Sequence, residues 1–128
     1  ISEWFAAFES ADSARLNRVT ASKHRGFVFS TGRFASTDTF VDPRSFPALL
    51  AYARARQRHH ERMTIQQVAF NGWRDRGLEF GPIYLMRSAD DLGRAPLPGI
   101  GKGEYWCGEG IAVMGLAPRP AIDPGPRP

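Results

Sequence analysis

Three groups of side chains in this sequence are of types that do chemistry. Asp42, in the run Thr39-Phe40-Val41-Asp42-Pro43, could act as a general base if it stood in an apolar pocket beside a substrate C–H. Burial there would lift its pKa toward working pH. An aspartate before proline is also a common turn signal, which needs no pocket. Asp90 and Asp91, close to Arg87, could pair to activate a water, or could open a solvated loop or cap. His59 and His60 are adjacent and diverge on a helix, so a metal ion would need ligands from elsewhere. Cys107 is the only cysteine and His24 the one other histidine. No metal site and no cofactor is therefore expected, and His60 is assigned to the docking face of its helix.

The aromatic residues form the third group. Trp4, Phe8, Phe29, Trp73, Tyr84, Tyr105 and Trp106 fall on elements that would face an interior cavity or its rim. The two tyrosine hydroxyls could orient a ligand there. Ordinary core packing is the competing reading, more so for phenylalanine than for tryptophan and tyrosine, whose polar atoms need partners when buried.

The elements that would position these residues can be read from periodicity. Ser2 is placed as the N-cap of a first helix whose Trp4, Phe5 and Phe8 share one stripe, with Glu3 and Glu9 near solvent. Asp12 restarts the helix, and Leu16 and Val19 carry it one short step further. From Gly26 the period becomes two, with Phe27, Phe29 and Thr31 opposite Val28 and Ser30, and a second extended piece covers 37–42. A turn within 32–36 would make these a hairpin. Ser45 caps the longest helix, whose stripe of Phe46, Leu49, Leu50 and Ala53 should dock on a sheet, while Arg54, Arg58 and Arg62 line the opposite face. Strands are expected over 63–73 and 78–87 around a polar turn, with a bulge or edge at Gly81-Pro82 because proline has no N–H for a ladder. A loop over 89–101 leads to a last hairpin, 102–107 and 111–117. The segment 118–128, with five prolines in eleven residues, reads as an extended tail outside the core.

A chain of 128 residues with 42% hydrophobic content suffices for one core, so the domain is placed at 1–117. No run approaches the roughly 20 apolar residues that span a bilayer. Glu3 and Glu9 stand where a secretory leader would be basic and then apolar. A single cysteine fits a reducing compartment, so a cytoplasmic location is expected. The net charge of +4 concentrates in Arg54, Arg56, Arg58 and Arg62, which reads as a solvated helix face. A patch for nucleic acid or a protein partner is the alternative.

The order of elements resembles the NTF2-like (cystatin-like) superfamily, with its ketosteroid isomerase and SnoaL-like polyketide cyclase relatives. Trp4-Phe5-Ala6-Ala7-Phe8-Glu9-Ser10-Ala11-Asp12 is similar to the superfamily's opening helix. Arg87-Ser88-Ala89-Asp90-Asp91-Leu92 and Gly101-Lys102-Gly103-Glu104-Tyr105-Trp106-Cys107 resemble segments of uncharacterised bacterial members. The resemblance implies an α+β cone: a curved mixed or antiparallel sheet, with N-terminal helices and one long helix covering a pocket. It also implies a homodimer paired through the outer sheet face and a small apolar or polyketide-like ligand, with neither nucleic acid nor membrane as partner. Within it, Trp4 falls where the isomerase has an oxyanion-binding tyrosine and Asp42 where it has its general base. The superfamily hosts enzymes and pure binding modules alike, so three classes stay open. They are a small-molecule isomerase, cyclase or hydrolase, a non-catalytic ligand-binding module, and a basic adaptor using the Arg54 to Arg62 face.

Overall fold

A computed structural model describes residues 1–21, 26–30, 40–74, 77–93 and 95–127. His24, Thr31 and the turn expected within 32–36 lie outside the described residues. In chain order the elements are α1 (Ser2–Ser10), α2 (Ser13–Val19), β1 (Gly26–Ser30), β2 (Phe40–Val41), α3 (Phe46–Arg58), β3 (Arg62–Arg74), β4 (Gly77–Ser88), a 3₁₀ turn (Asp90–Leu92), β5 (Leu97–Trp106) and β6 (Gly110–Pro118).

The strands form one sheet in the order β2-β1-β6-β5-β4-β3. All neighbours are antiparallel except β1 and β6, which run parallel, so the sheet is mixed. The expected hairpin pairs Phe29 with Val41 and Ser30 with Phe40. The three helices pack on one face of this sheet, and the architecture is the α+β one expected.

Local chemistry explains most boundaries. Ala11 takes a left-handed conformation that closes α1, and Asp12 then accepts a hydrogen bond from Arg15 N at 3.1 Å to cap α2. Ser2 lies inside α1, whose N-cap is Ile1 and carries no side-chain bond. Ser45 caps α3 by accepting from Ala48 N at 3.2 Å. The ladder between β4 and β5 shifts between Phe80 and Ile83, which places the expected bulge at Gly81-Pro82. β5 starts at Leu97, inside the segment expected to be loop, because Leu97, Pro98 and Gly99 pair with Arg87, Met86 and Leu85. Pro98 keeps a role there through its carbonyl, which accepts from Arg119 N at 3.0 Å.

The core lies between helices and sheet. Trp4 stacks on Phe8 (ring centroids 5.2 Å apart), Phe27 (6.1 Å) and Phe29 (6.5 Å), and meets Phe5 edge-on. Phe29 stacks in turn on Tyr52 of α3 at 4.8 Å. Ala7 of α1 and Ala53 of α3 are fully buried, so both helices come close to their neighbours. Trp4 Nε1 donates to Thr20 Oγ1 at 3.2 Å, which satisfies the indole inside the core without any ligand.

Candidate functional site

The eight residues singled out from the sequence do not converge. Trp4, Phe8 and Phe29, placed at a cavity in the sequence reading, are 1–2% exposed and belong to the packed core. Stacked rings fill the space around these three side chains, and among them only the outer edge of Trp4 borders a cleft, beside Ile1, Val19 and Tyr105. Asp42 is exposed and lies 3.4 Å from Arg44 Nε in an ion pair at the surface. Tyr84 stands on the outer face of the sheet, beneath the C-terminal tail. Trp106 follows Tyr105 in β5 and so points to the opposite face from it.

Two others of the eight, Trp73 and Tyr105, flank Leu78 in one row. Leu78 pairs with Trp73 across β3 and β4 and with Tyr105 across β4 and β5, so the three share one row on the helix-covered face. Around them the far ends of these strands extend past the N-terminus of α1. The result is a cleft of about 410 Å³ lined by Ile1, Ser2, Val68, Phe70, Leu78, Phe80 and Tyr105. Phe70 (60% exposed) and Tyr105 (36%) form an uncovered aromatic rim, and Trp73 (61%) lies exposed in the Leu78 row beside it. Sequence reasoning missed Phe70, Val68, Leu78 and Phe80. Register shifts in β3 on both sides of Phe70 break the simple alternation that would have grouped it with the others.

A second cluster is electrostatic. Arg56, expected on a solvated face, is 7% exposed, and so is Arg87, while Glu61 is 4% exposed. Arg56 grips Asp91 with two hydrogen bonds, at 2.8 and 2.9 Å, and donates its Nε to Glu61. Arg87 donates to the same Glu61 oxygen at 3.0 Å. Burial works against the charge on Arg56, but the hydrogen bonds and attraction of Asp91 and Glu61 outweigh it and hold its pKa above the ordinary value. Asp91 is pushed below the usual carboxylate range by its bond to Arg56, against some desolvation. Asp90 hydrogen-bonds His60 Nδ1 at 2.8 Å, and His60 is exposed rather than on the docking face. The Asp90-Asp91 pair is thus divided between two partners. It fastens the end of α3 to the 3₁₀ turn, while Glu61 links the same guanidinium to the end of β4.

The tail crosses the outer face. Beyond Pro98, Arg127 N donates to Gln67 Oε1 at 3.1 Å, and Gly125 N to Asp123 Oδ1 at 2.8 Å. Gly125 is buried at positive φ (81°), and a Cβ there would lie 2.6 Å from the Arg119 guanidinium, so glycine is required. Burial and the Asp123 carboxylate raise the pKa of Tyr84 above the usual phenol range. Among the described residues no helix is long and apolar enough to cross a membrane.

No protein-family model matches the chain, and no curated protein matches it in sequence. Solved structures do. A complex of the yeast deubiquitinase Ubp3 and its Bre5 cofactor matches with a TM-score of 0.71 at 6% identity, over 95% of this chain and 92% of that one. A putative dehydratase of the NTF2-like family from Streptomyces avermitilis matches with a TM-score of 0.67 at 7% identity, over 94% and 91%. The canthaxanthin-binding orange carotenoid protein of Anabaena matches with a TM-score of 0.71 at 7% identity, over 94% of this chain and 36% of that one. The fold is that of the NTF2-like superfamily. At these identities the likeness defines the fold and leaves the chemistry to the site.

Proposed function

We propose that this domain is a non-catalytic binding module that takes a small apolar molecule in the cleft beneath the N-terminus of α1. The carrying observation is the cleft's lining: apart from the Ser2 and Tyr105 hydroxyls its side chains are apolar, and they include no carboxylate, imidazole or amine. Abstracting a proton from carbon needs a base within hydrogen-bond reach of the reacting atom, and the side chains that usually serve are missing from this lining. A lining of aliphatic and aromatic side chains with two hydroxyls instead suits an apolar ligand that one or two hydrogen bonds orient. The carotenoid bound by one protein of this fold is consistent with that reading. In it, Asp42 has no part in the chemistry and serves its ion pair with Arg44.

N-phenyl-1-naphthylamine, an uncharged fluorescent probe, tests the proposal. Its emission should rise on binding, and Phe70→Ala should weaken binding about tenfold, roughly the 1.4 kcal/mol expected for losing part of an aromatic contact. Asp42→Asn should leave binding unchanged. Equal affinity for the wild type and Phe70→Ala would defeat the assignment.

A further inference from the structure

We propose that the outer face of the sheet carries a second ligand site, a trough floored by Gly115 that accepts an amphiphile with an apolar body and a single carboxylate. Val28, Gly115 and Lys102 occupy one row across β1, β6 and β5, and Ile100 and Ala117 lie opposite one another in the next. With Pro82 they enclose a groove of about 560 Å³, separate from the cleft on the helix-covered face.

Two features point to a ligand rather than to packing within the fold. The first is Gly115. A mid-strand glycine weakens a strand by about 0.5–1 kcal/mol relative to alanine, and is normally explained by a positive φ or a close approach. Neither holds here: Gly115 is absent from the positive-φ glycines, and a Cβ would meet nothing nearer than the Val28 carbonyl oxygen at 3.8 Å. What the missing side chain leaves is the depth of the trough.

The second is Lys102. Its stem lies along Gly81, where an added Cβ would come within 2.8 Å of the Lys102 Cβ, and among the described residues its ammonium has no carboxylate partner. The acid two residues along the same face, Glu104, is folded over Gly77 instead. One unpaired cation on a groove whose remaining side chains are apolar but for Asn71 complements a monoanion with a hydrocarbon body. A phosphate, with about two charges and three acceptor oxygens, would call for more donors than Lys102 and the nearby Asn71 amide supply.

Calorimetric titration with dodecanoate and with dodecanol, below their aggregation limits, tests this. The wild type should bind dodecanoate at least tenfold more tightly than dodecanol. Lys102→Gln, a change at an exposed side chain, should bring dodecanoate down to the affinity of dodecanol. Gly115→Leu should abolish uptake of both while leaving N-phenyl-1-naphthylamine binding intact, which also shows that the variant is folded. The proposal is overturned if Lys102→Gln leaves dodecanoate binding unchanged, or if Phe70→Ala and not the trough variants removes it. It is equally overturned if the wild type sediments as a dimer that takes up no dodecanoate while Lys102→Gln or Gly115→Leu sediments as a monomer, since a second copy would then cover the trough.

Discussion

Glu61 is the residue on which most of the buried charge depends. Its Oε1 accepts from both Arg56 and Arg87, and all three side chains are at least nine-tenths buried. Replacing it by glutamine would keep the shape and remove the counter-charge. The expected cost is about 3–5 kcal/mol, as for breaking a buried ion pair from one side, read as a lowered denaturant midpoint. A loss below about 1 kcal/mol would mean that Asp91 alone compensates both guanidiniums. Arg56 was legible in principle: counting from Leu49 and Ala53 at helical spacing places it on the apolar stripe, not with Arg54 and Arg58. Its partners were not, because Glu61 reaches it from the turn beyond α3 and Asp91 from a 3₁₀ turn distant in sequence.

At the scale of elements, α1 is held by the fit of its aromatic stripe and by polar contacts, among them Met63 N to Glu9 and, inside the core, the Trp4 indole to Thr20. Thr20, 3% exposed, accepts from the Trp4 indole. Thr20→Val preserves the volume but leaves that N–H buried and unpaired, which should destabilise the protein by about 1–3 kcal/mol in a denaturant titration. An unchanged midpoint would show that the contact contributes nothing net. The helices, their caps at Asp12 and Ser45 and the bulge at Gly81-Pro82 were all readable, since each depends on neighbours a few residues away. The early start of β5 was not, because Pro98 and Gly99 enter the sheet only through the register of β4.

For the whole molecule, the tail and the sheet form one unit through Tyr84. Its phenol is held above the ordinary value of 10.0 by burial first and by Asp123 second. A raised phenol pKa means that the folded state keeps its proton where the unfolded chain releases it. The stabilisation is thus complete below pH 10 and is lost as pH rises through the higher folded value. Ionised Tyr84 would face the Asp123 carboxylate, and the tail should lift away. Phenolate absorbance should show a late-titrating tyrosine in the wild type that is lost in Tyr84→Phe, whose stability should also fall less steeply above pH 10. Identical alkaline profiles for the two proteins would contradict this coupling.

Local and periodic signals in the sequence sufficed for the α+β class, the caps at Asp12 and Ser45, the hairpin of β1 and β2 and the amphipathic face of α3, because those are decided by residues within a turn or two of one another. Whether the aromatic residues surround a cavity or fill it was a different matter. It turned on how closely Ala7 and Ala53 let the helices approach, and on strand register that assigns Tyr105 to one face and Tyr84 to the other. Such distances join segments far apart in the chain, and only the assembled sheet sets them.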